Sequence, residues 1–134
     1  MIQKALLVLL VLISLKSNSQ TLETVYKLKS NYQKCLDKGI DMRGCSLKYY
    51  NQSDSLLNVA YNNLKSKISS KEQSKLKKEQ VEWLKKRDQF FEKIYSDTKK
   101  EGHFKEGTQD FEMIVLDEEA KFVFGRVKEL IKRS

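Results

Sequence analysis

The 134-residue chain contains no proline and only five glycines. Because these two residues interrupt helices most often, their scarcity favours long helices. Histidine occurs once, at His103, and cysteine twice, at Cys35 and Cys45. A metal site is a weak alternative to a disulfide for these residues, since His103 lies far along the chain from both cysteines. We therefore expect no metal ion and no other cofactor.

The sequence also lacks any recognisable catalytic constellation. It has no nucleophile elbow, no glycine-rich phosphate loop and no zinc-binding helix motif. Glu79, Glu82 and Asp88 fall on one amphipathic segment, where carboxylates usually form the solvated face. His103 lies among glycines and charged residues, which is typical of a solvated loop residue rather than a general base. The sequence therefore predicts a protein that is not an enzyme.

Residues 1–19 have the pattern of a signal peptide. A basic start is followed by an apolar run over residues 5–15, and Ser17 and Ser19 occupy the −3 and −1 positions before Gln20. The alternative is an uncleaved anchor, but the run is shorter than the roughly 20 apolar residues of a membrane-spanning helix. We expect an exported chain, periplasmic or secreted, whose single domain covers residues 20–134 without a transmembrane segment.

The charge of the chain is basic. Removing residues 1–19 takes away two lysines and no acidic residue, so the formal charge falls from +8 to +6. This balance suits anionic envelope components such as lipid head groups or cell-wall polymers. The alternative is an ordinary lysine-rich surface, since the lysines are spread along the chain rather than gathered in one block, and no nucleic-acid partner is expected.

The two cysteines predict one disulfide. In an exported protein, an even pair of cysteines at short spacing indicates a Cys35–Cys45 bond. Closing so short a loop contributes roughly 2–3 kcal/mol in the chain-entropy model.

Hydrophobic periodicity predicts an all-α fold, an antiparallel bundle of about four helices. The expected helices cover residues 22–36, 43–69, 71–97 and about 108–132, and residues 98–108 form the longest loop. Ser70 is the expected N-cap of the third helix, with Gln73 completing a capping box, and Thr108 is the expected N-cap of the fourth.

Apolar positions recur at steps of three and four along each helix. The expected seams are Leu22, Val25, Leu28, Tyr32 and Cys35; Leu47, Tyr50, Asp54, Leu57, Tyr61, Leu64 and Ile68; Leu76, Gln80, Trp83, Arg87, Phe90 and Ile94; and Met113, Leu116, Ala120, Val123, Val127 and Leu130.

Polar residues interrupt the seams of the second and third helices. If these helices form a hairpin that turns near Ser70, residues whose numbers sum to about 141 lie at one level. That rule pairs Asp54 with Arg87 and Tyr61 with Gln80, and it also pairs Asn58 with Trp83 and Tyr50 with Phe91. We expect an Asp54–Arg87 salt bridge within the hairpin and a hydrogen bond between Tyr61 and Gln80. The Asp54–Arg87 pair would serve either to fix the register of the two helices or to form a polar site in a groove.

The ordered set of residues along the chain resembles the LprI-type lysozyme-inhibitor family. The residues that carry the resemblance are Cys35, Met42, Cys45, Asp54, Leu57, Asn58, Tyr61, Leu64, Leu76, Gln80, Trp83, Arg87 and Asp88, with weaker agreement at Arg126 and Leu130. The resemblance covers about residues 32–130 and implies a small exported helical domain. The chain departs from the family pattern at two positions. Relatives often have a second disulfide, and Phe91 stands here in place of one of its cysteines. Val123 stands where relatives usually have a threonine. Without that disulfide, we expect residues 98–108 to be freer than in relatives.

The resemblance implies an inhibitor that protects the bacterial cell wall by occluding the cleft of lysozyme, or a binder of another exported protein. Two loops are candidates for this contact. The first covers residues 37–44 and contains Asp37, Asp41 and Arg43, and the second covers residues 99–107 and contains His103 and Phe104. One point counts against this function, because many animal lysozymes are basic and would repel a basic partner. The alternative is an envelope module that binds an anionic ligand without inhibiting lysozyme.

Overall fold

The protein folds into four α-helices. The computed structural model describes residues 21–134, and within this range it contains α1 (Leu22–Asp37), α2 (Met42–Ser66), α3 (Ser70–Glu101) and α4 (Gln109–Arg133) and no strand. The predicted all-α bundle of four helices is confirmed, and consecutive helices run antiparallel through short connections. The predicted signal peptide lies outside the described residues. Within residues 21–134, no helix is both long enough and apolar enough to span a membrane.

The N-cap of α3 is Ser69, so the predicted cap at Ser70 is wrong. The Ser69 hydroxyl accepts a hydrogen bond from the Glu72 backbone, and the Glu72 carboxylate accepts one from the Ser69 backbone. These two hydrogen bonds satisfy two backbone N–H groups that have no partner within the helix. Gln73 has a different role, because its side-chain amide donates to the carbonyl oxygens of Lys65 and Ile68 at the end of α2.

The start of α4 is as predicted, and the end of α3 is later. The Thr108 hydroxyl accepts from the Phe111 backbone and caps α4. Helix α3 continues four residues beyond the predicted end at Asp97, because Thr98 is buried and its hydroxyl donates to the Ile94 carbonyl. The helix stops at Gly102, which has a φ of 68°, a left-handed conformation that glycine adopts without steric cost.

The centre of the bundle is the parallel pair α2 and α4, which pack more closely than any other two helices. Small buried residues, Ser46, Ser53 and Ala60, recur every seven residues along the face of α2. Small side chains allow two helix backbones to approach closely. The hydroxyls of Ser46 and Ser53 donate to carbonyls of their own helix, and the Ser46 hydroxyl also shares a hydrogen bond of 3.0 Å with the Tyr32 hydroxyl of α1. The predicted seam of α2 is therefore rotated in the structure: Leu47 is exposed, and Tyr50, Asp54 and Tyr61 are only half-buried.

Helix α1 packs on one side of the central pair. Val25 is buried, and the Tyr32 ring stacks on the Tyr49 ring with centroids 4.2 Å apart. Burial raises the pKa of Tyr49 to about 12, which keeps its hydroxyl neutral over the physiological range. The Cys35–Cys45 disulfide joins the end of α1 to the start of α2, with Cα atoms 5.8 Å apart, and confirms the predicted pairing.

Helix α3 lies on the other side and packs mainly on α4 rather than on α2. Phe122 of α4 stacks on Trp83 and Phe90, with centroids 5.6 and 4.3 Å apart. Phe91 meets Tyr50 of α2 edge-on at 6.1 Å, so this predicted contact is confirmed. Aromatic rings therefore hold α3 in place, and its backbone remains separate from that of α2. This separation opens a groove between α2 and α3.

Candidate functional site

A groove with a volume of about 450 Å³ runs between α2 and α3. It is lined by Asp54, Leu57, Asn58, Tyr61, Lys77, Gln80, Val81, Leu84 and Arg87. Six of these nine residues belong to the set that carries the family resemblance. We therefore treat this α2–α3 groove as a candidate site.

The predicted Asp54–Arg87 salt bridge does not form. Arg87 Nε and Nη2 both donate to Asp88 Oδ1, at 3.0 and 2.8 Å, and Asp54 has no ion-pair partner among residues 21–134. The predicted register is nevertheless correct, because Asp54 and Arg87 line the same groove from opposite walls. The two side chains do not meet because α2 makes its closest approach to α4, which leaves α3 at a greater distance.

Gln80 bonds to Arg126 of α4 instead of the predicted partner, Tyr61. Arg126 Nε donates to Gln80 Oε1 at 3.0 Å. Because a guanidinium only donates hydrogen bonds, this contact fixes the orientation of the Gln80 amide. The Gln80 Nε2 donor is therefore left for the groove that this residue lines.

Arg126 is a buried cation, with 8% of its side chain exposed. Its Nη1 donates to Glu129 at 3.1 Å, while Nη2 lies 3.9 Å from Glu79 Oε2 and has no hydrogen bond among the described residues. Glu79 accepts a hydrogen bond of 2.8 Å from Arg133, and this bond lowers the pKa of Glu79. A buried charge needs such compensation, so the cluster holds Arg126 and, through it, Gln80 in place.

Several polar side chains of the α2–α3 groove make no hydrogen bond to another described residue. These are Asp54, Asn58 and Tyr61 on α2 and Lys77 on α3. Trp83 and Asp88, the other residues of the family set on α3, do not line the groove: Trp83 stacks on Phe122, and Asp88 holds Arg87. The groove therefore presents free donors and acceptors above the apolar side chains Leu57, Val81 and Leu84.

Both candidate loops lie at one end of the bundle. The α1–α2 and α3–α4 connections meet there because each helix reverses the direction of the one before it. An ion pair between Arg43 and Glu112 joins the first turns of α2 and α4, which follow directly after the two connections. We call this region, residues 38–41 and 102–108, the loop end.

The first loop of the loop end is held at both of its ends by contacts to α1 and α2. Besides the disulfide, the Asp41 carboxylate caps α2 by accepting from the Gly44 backbone at 3.1 Å. A Cβ at Gly44 would collide with this carboxylate, so a side chain there would displace the Asp41 cap. Asp37 accepts from the Gln33 side chain at 2.9 Å. Between these anchored residues, Ile40 is 77% exposed, more than any other large hydrophobic residue in the range 21–134.

The second loop is held by polar contacts instead of a second disulfide. Glu106 accepts a hydrogen bond from the Tyr95 hydroxyl and pairs with Lys99 at 2.6 Å. The bond from Lys99 lowers the pKa of Glu106, which keeps the carboxylate charged. His103 is exposed, as predicted for a loop residue, and Phe104 is 39% exposed. The loop is therefore tethered by these contacts, and the expectation that it is freer than in relatives stays a prediction.

Sequence reasoning missed the roles of Arg126 and Phe122. Arg126 follows Val123 by three residues and precedes Leu130 by four, and both of these residues are fully buried. That spacing is the signal that could have placed the arginine inside the bundle. Phe122 gave no comparable signal, because its partners on α3 come from a helix distant in sequence.

A model of one protein family, described as "Lysozyme inhibitor LprI", matches residues 33–130 of the chain. The match includes the disulfide, both connections of the loop end and all nine residues that line the α2–α3 groove. Comparisons with curated proteins and with solved structures gave no significant match.

Proposed function

Since the chain belongs to the LprI lysozyme-inhibitor family, we propose that it is exported and inhibits lysozyme by placing the loop end in the cleft of the enzyme. In this proposal, residues 1–19 direct export and are removed, and the mature protein protects the bacterial cell wall in the periplasm or outside the cell. It acts by binding rather than by catalysis.

The observation that carries this proposal is the arrangement of the loop end. Two connections lie side by side, and each exposes one large apolar side chain, Ile40 or Phe104. Apolar anchors that become fully desolvated supply most of the affinity in protein interfaces. The disulfide on one loop and the Glu106 contacts on the other order both loops before binding, which lowers the entropic cost of association.

The charges beside these anchors suit a glycosidase cleft. Glycoside hydrolases generally cleave with two carboxylates that flank the scissile bond. Lys38 lies in the first loop of the loop end, and His103 and Lys105 flank Phe104 in the second. A cation placed beside the two carboxylates would add charge-assisted contacts and block access to the bond.

The net charge of the mature chain sets the kinetics of binding to a basic lysozyme. At a formal charge of +6, long-range repulsion slows the encounter of two basic proteins. Because salt screens this repulsion, the association rate with a basic lysozyme should rise between low and physiological salt. An acidic lysozyme should show the opposite dependence.

The test is a lytic-rate and binding assay with residues 20–134 against basic and acidic lysozymes. We expect stoichiometric inhibition, and we expect Ile40→Ala and Phe104→Ala each to weaken binding by about 5- to 30-fold. Tyr26→Ala is the matched control, because Tyr26 is 60% exposed on α1 but lies 11 residues before the end of that helix, about 16 Å from the loop end.

Two outcomes would contradict the proposal. The absence of binding to every lysozyme would overturn inhibition and leave the envelope module for anionic ligands as the alternative. Inhibition that survives both loop substitutions would show that a different surface meets the enzyme.

A further inference from the structure

We propose that the α2–α3 groove is a second binding site, separate from the loop end, that takes a short extended peptide with a free amino terminus and a free carboxylate. The groove begins 13 residues after Asp41 on α2, which corresponds to about 20 Å along a helix axis. A ligand in the groove and a protein partner at the loop end can therefore bind independently.

The groove has opposite charges at its two ends. At one end, Asp88 neutralises Arg87, so the unpaired Asp54 leaves one excess negative charge. At the other end stands Lys77, which has no ion-pair partner among the described residues. A ligand that places an ammonium group near Asp54 and a carboxylate near Lys77 would satisfy both ends.

The distance between these ends fits a peptide of four or five residues. Lys77 and Arg87 are ten residues apart on α3, which is about 15 Å at 1.5 Å per residue. An extended peptide advances about 3.4 Å per residue, so four or five residues span the same length. A single amino acid is too short to reach both charges.

The middle of the groove suits a peptide backbone. The side-chain amide of Asn58 can donate and accept, as a peptide group requires, and Gln80 offers its Nε2 donor. Arg126 orients the Gln80 amide from behind, so its Nε2 is presented without rearrangement. Leu57, Val81 and Leu84 provide apolar surface for small side chains between these polar contacts.

A glycan fits the groove less well. Neutral sugars would leave both terminal charges unmatched, and Tyr61 is the only aromatic residue that lines this groove. The charge separation therefore favours a peptide with two charged termini over an uncharged saccharide.

The first experiment titrates residues 20–134, which contain all four packed helices, with tetra-alanine and records amide spectra by nuclear magnetic resonance. We expect saturable shifts of the Asn58 and Gln80 side-chain amides. N-acetylated, C-amidated tetra-alanine should bind at least about tenfold more weakly, because it lacks both terminal charges. A tetramer of N-acetylglucosamine serves as the glycan probe and should bind more weakly than tetra-alanine.

The second experiment uses charge variants. Asp54→Asn and Lys77→Met should each weaken the binding of free tetra-alanine by about 5- to 10-fold and leave the binding of the capped peptide unchanged. Lys78→Met is the matched control, because Lys78 lies beside Lys77 but does not line the groove. Inhibition of lysozyme should be unaffected in all three variants, which separates this site from the loop end.

Three results would overturn the peptide site. They are the absence of saturable binding of tetra-alanine, equal affinity for the free and capped peptides, and tighter binding of the glycan probe. Because Asp54 and Lys77 have no ion-pair partner in the described structure, their variants should fold normally, and an unchanged amide spectrum before titration verifies this.

Discussion

Replacing both cysteines, Cys35→Ala and Cys45→Ala, should destabilise the protein by an amount that follows from the loop the disulfide closes. The two residues are 10 apart in sequence. In the chain-entropy model, a loop of this length lowers the entropy of the unfolded chain by about 9 cal/mol/K, which corresponds to about 2.7 kcal/mol at 25 °C. For a helical domain of this size, the melting temperature should fall by about 10 °C.

The loss should be concentrated in α1. Val25 is the only buried residue of this helix, and Leu28 and Tyr32 pack against the core only partly. Without the covalent link to α2, α1 can separate from the bundle before the other helices unfold. Amide hydrogen exchange should therefore accelerate most in α1 and least in the central pair α2 and α4.

The assay is urea unfolding of the wild type and the double variant, each with and without reductant. Reductant should lower the stability of the wild type to that of the variant and leave the variant unchanged. A loss below about 1 kcal/mol would refute the entropic argument. Sensitivity of the variant to reductant would show that the effect has another source.

The remaining predictions concern a helix cap and a half-buried acid. Ser69→Ala should cost about 1 kcal/mol in urea unfolding, whereas Ser70→Ala should change stability by less than about 0.5 kcal/mol, because only the Ser69 hydroxyl caps α3; equal costs would contradict the capping box. Burial raises the pKa of Glu119, so its ionisation opposes folding, and Glu119→Gln should raise the melting temperature at pH 7. This gain should vanish as the pH falls toward about 4, below the pKa of the unfolded state. Glu118→Gln is the control and should give no gain, because Glu118 pairs with Lys121 at 3.1 Å; a gain that persists at low pH would exclude the ionisation of Glu119 as its cause.

The helices and the disulfide were predictable because both depend on local pattern. Apolar residues at steps of three and four define each helix, and two cysteines at short spacing have only one possible intramolecular pairing. The hairpin register was also predictable, as the contact between Tyr50 and Phe91 shows. Register fixes the level of a residue along a helix but does not give the distance between two helices.

That distance explains why the Asp54–Arg87 salt bridge was predicted wrongly. The helix that packs closest to α2 is α4, and the residues that permit this are Ser46, Ser53 and Ala60. Serine counts as polar in a hydrophobicity pattern, so the predicted seam of this helix did not include Ser46 and Ser53. The burial of Arg126 was missed for a similar reason, because its compensating partners Gln80 and Glu79 lie about 46 residues earlier in the chain.

The even number of helices also determines how the protein can be attached to another molecule. Because α4 starts at the loop end and has 25 residues, as α2 does, residue 134 lies at the pole opposite Ile40 and Phe104, whereas α1 has only 16 residues and begins part of the way along the bundle. A tether, a fluorescent fusion or a solid support joined at residue 134 would therefore direct both anchors outward. Surface immobilisation through residue 134 is the appropriate geometry for measuring lysozyme capture.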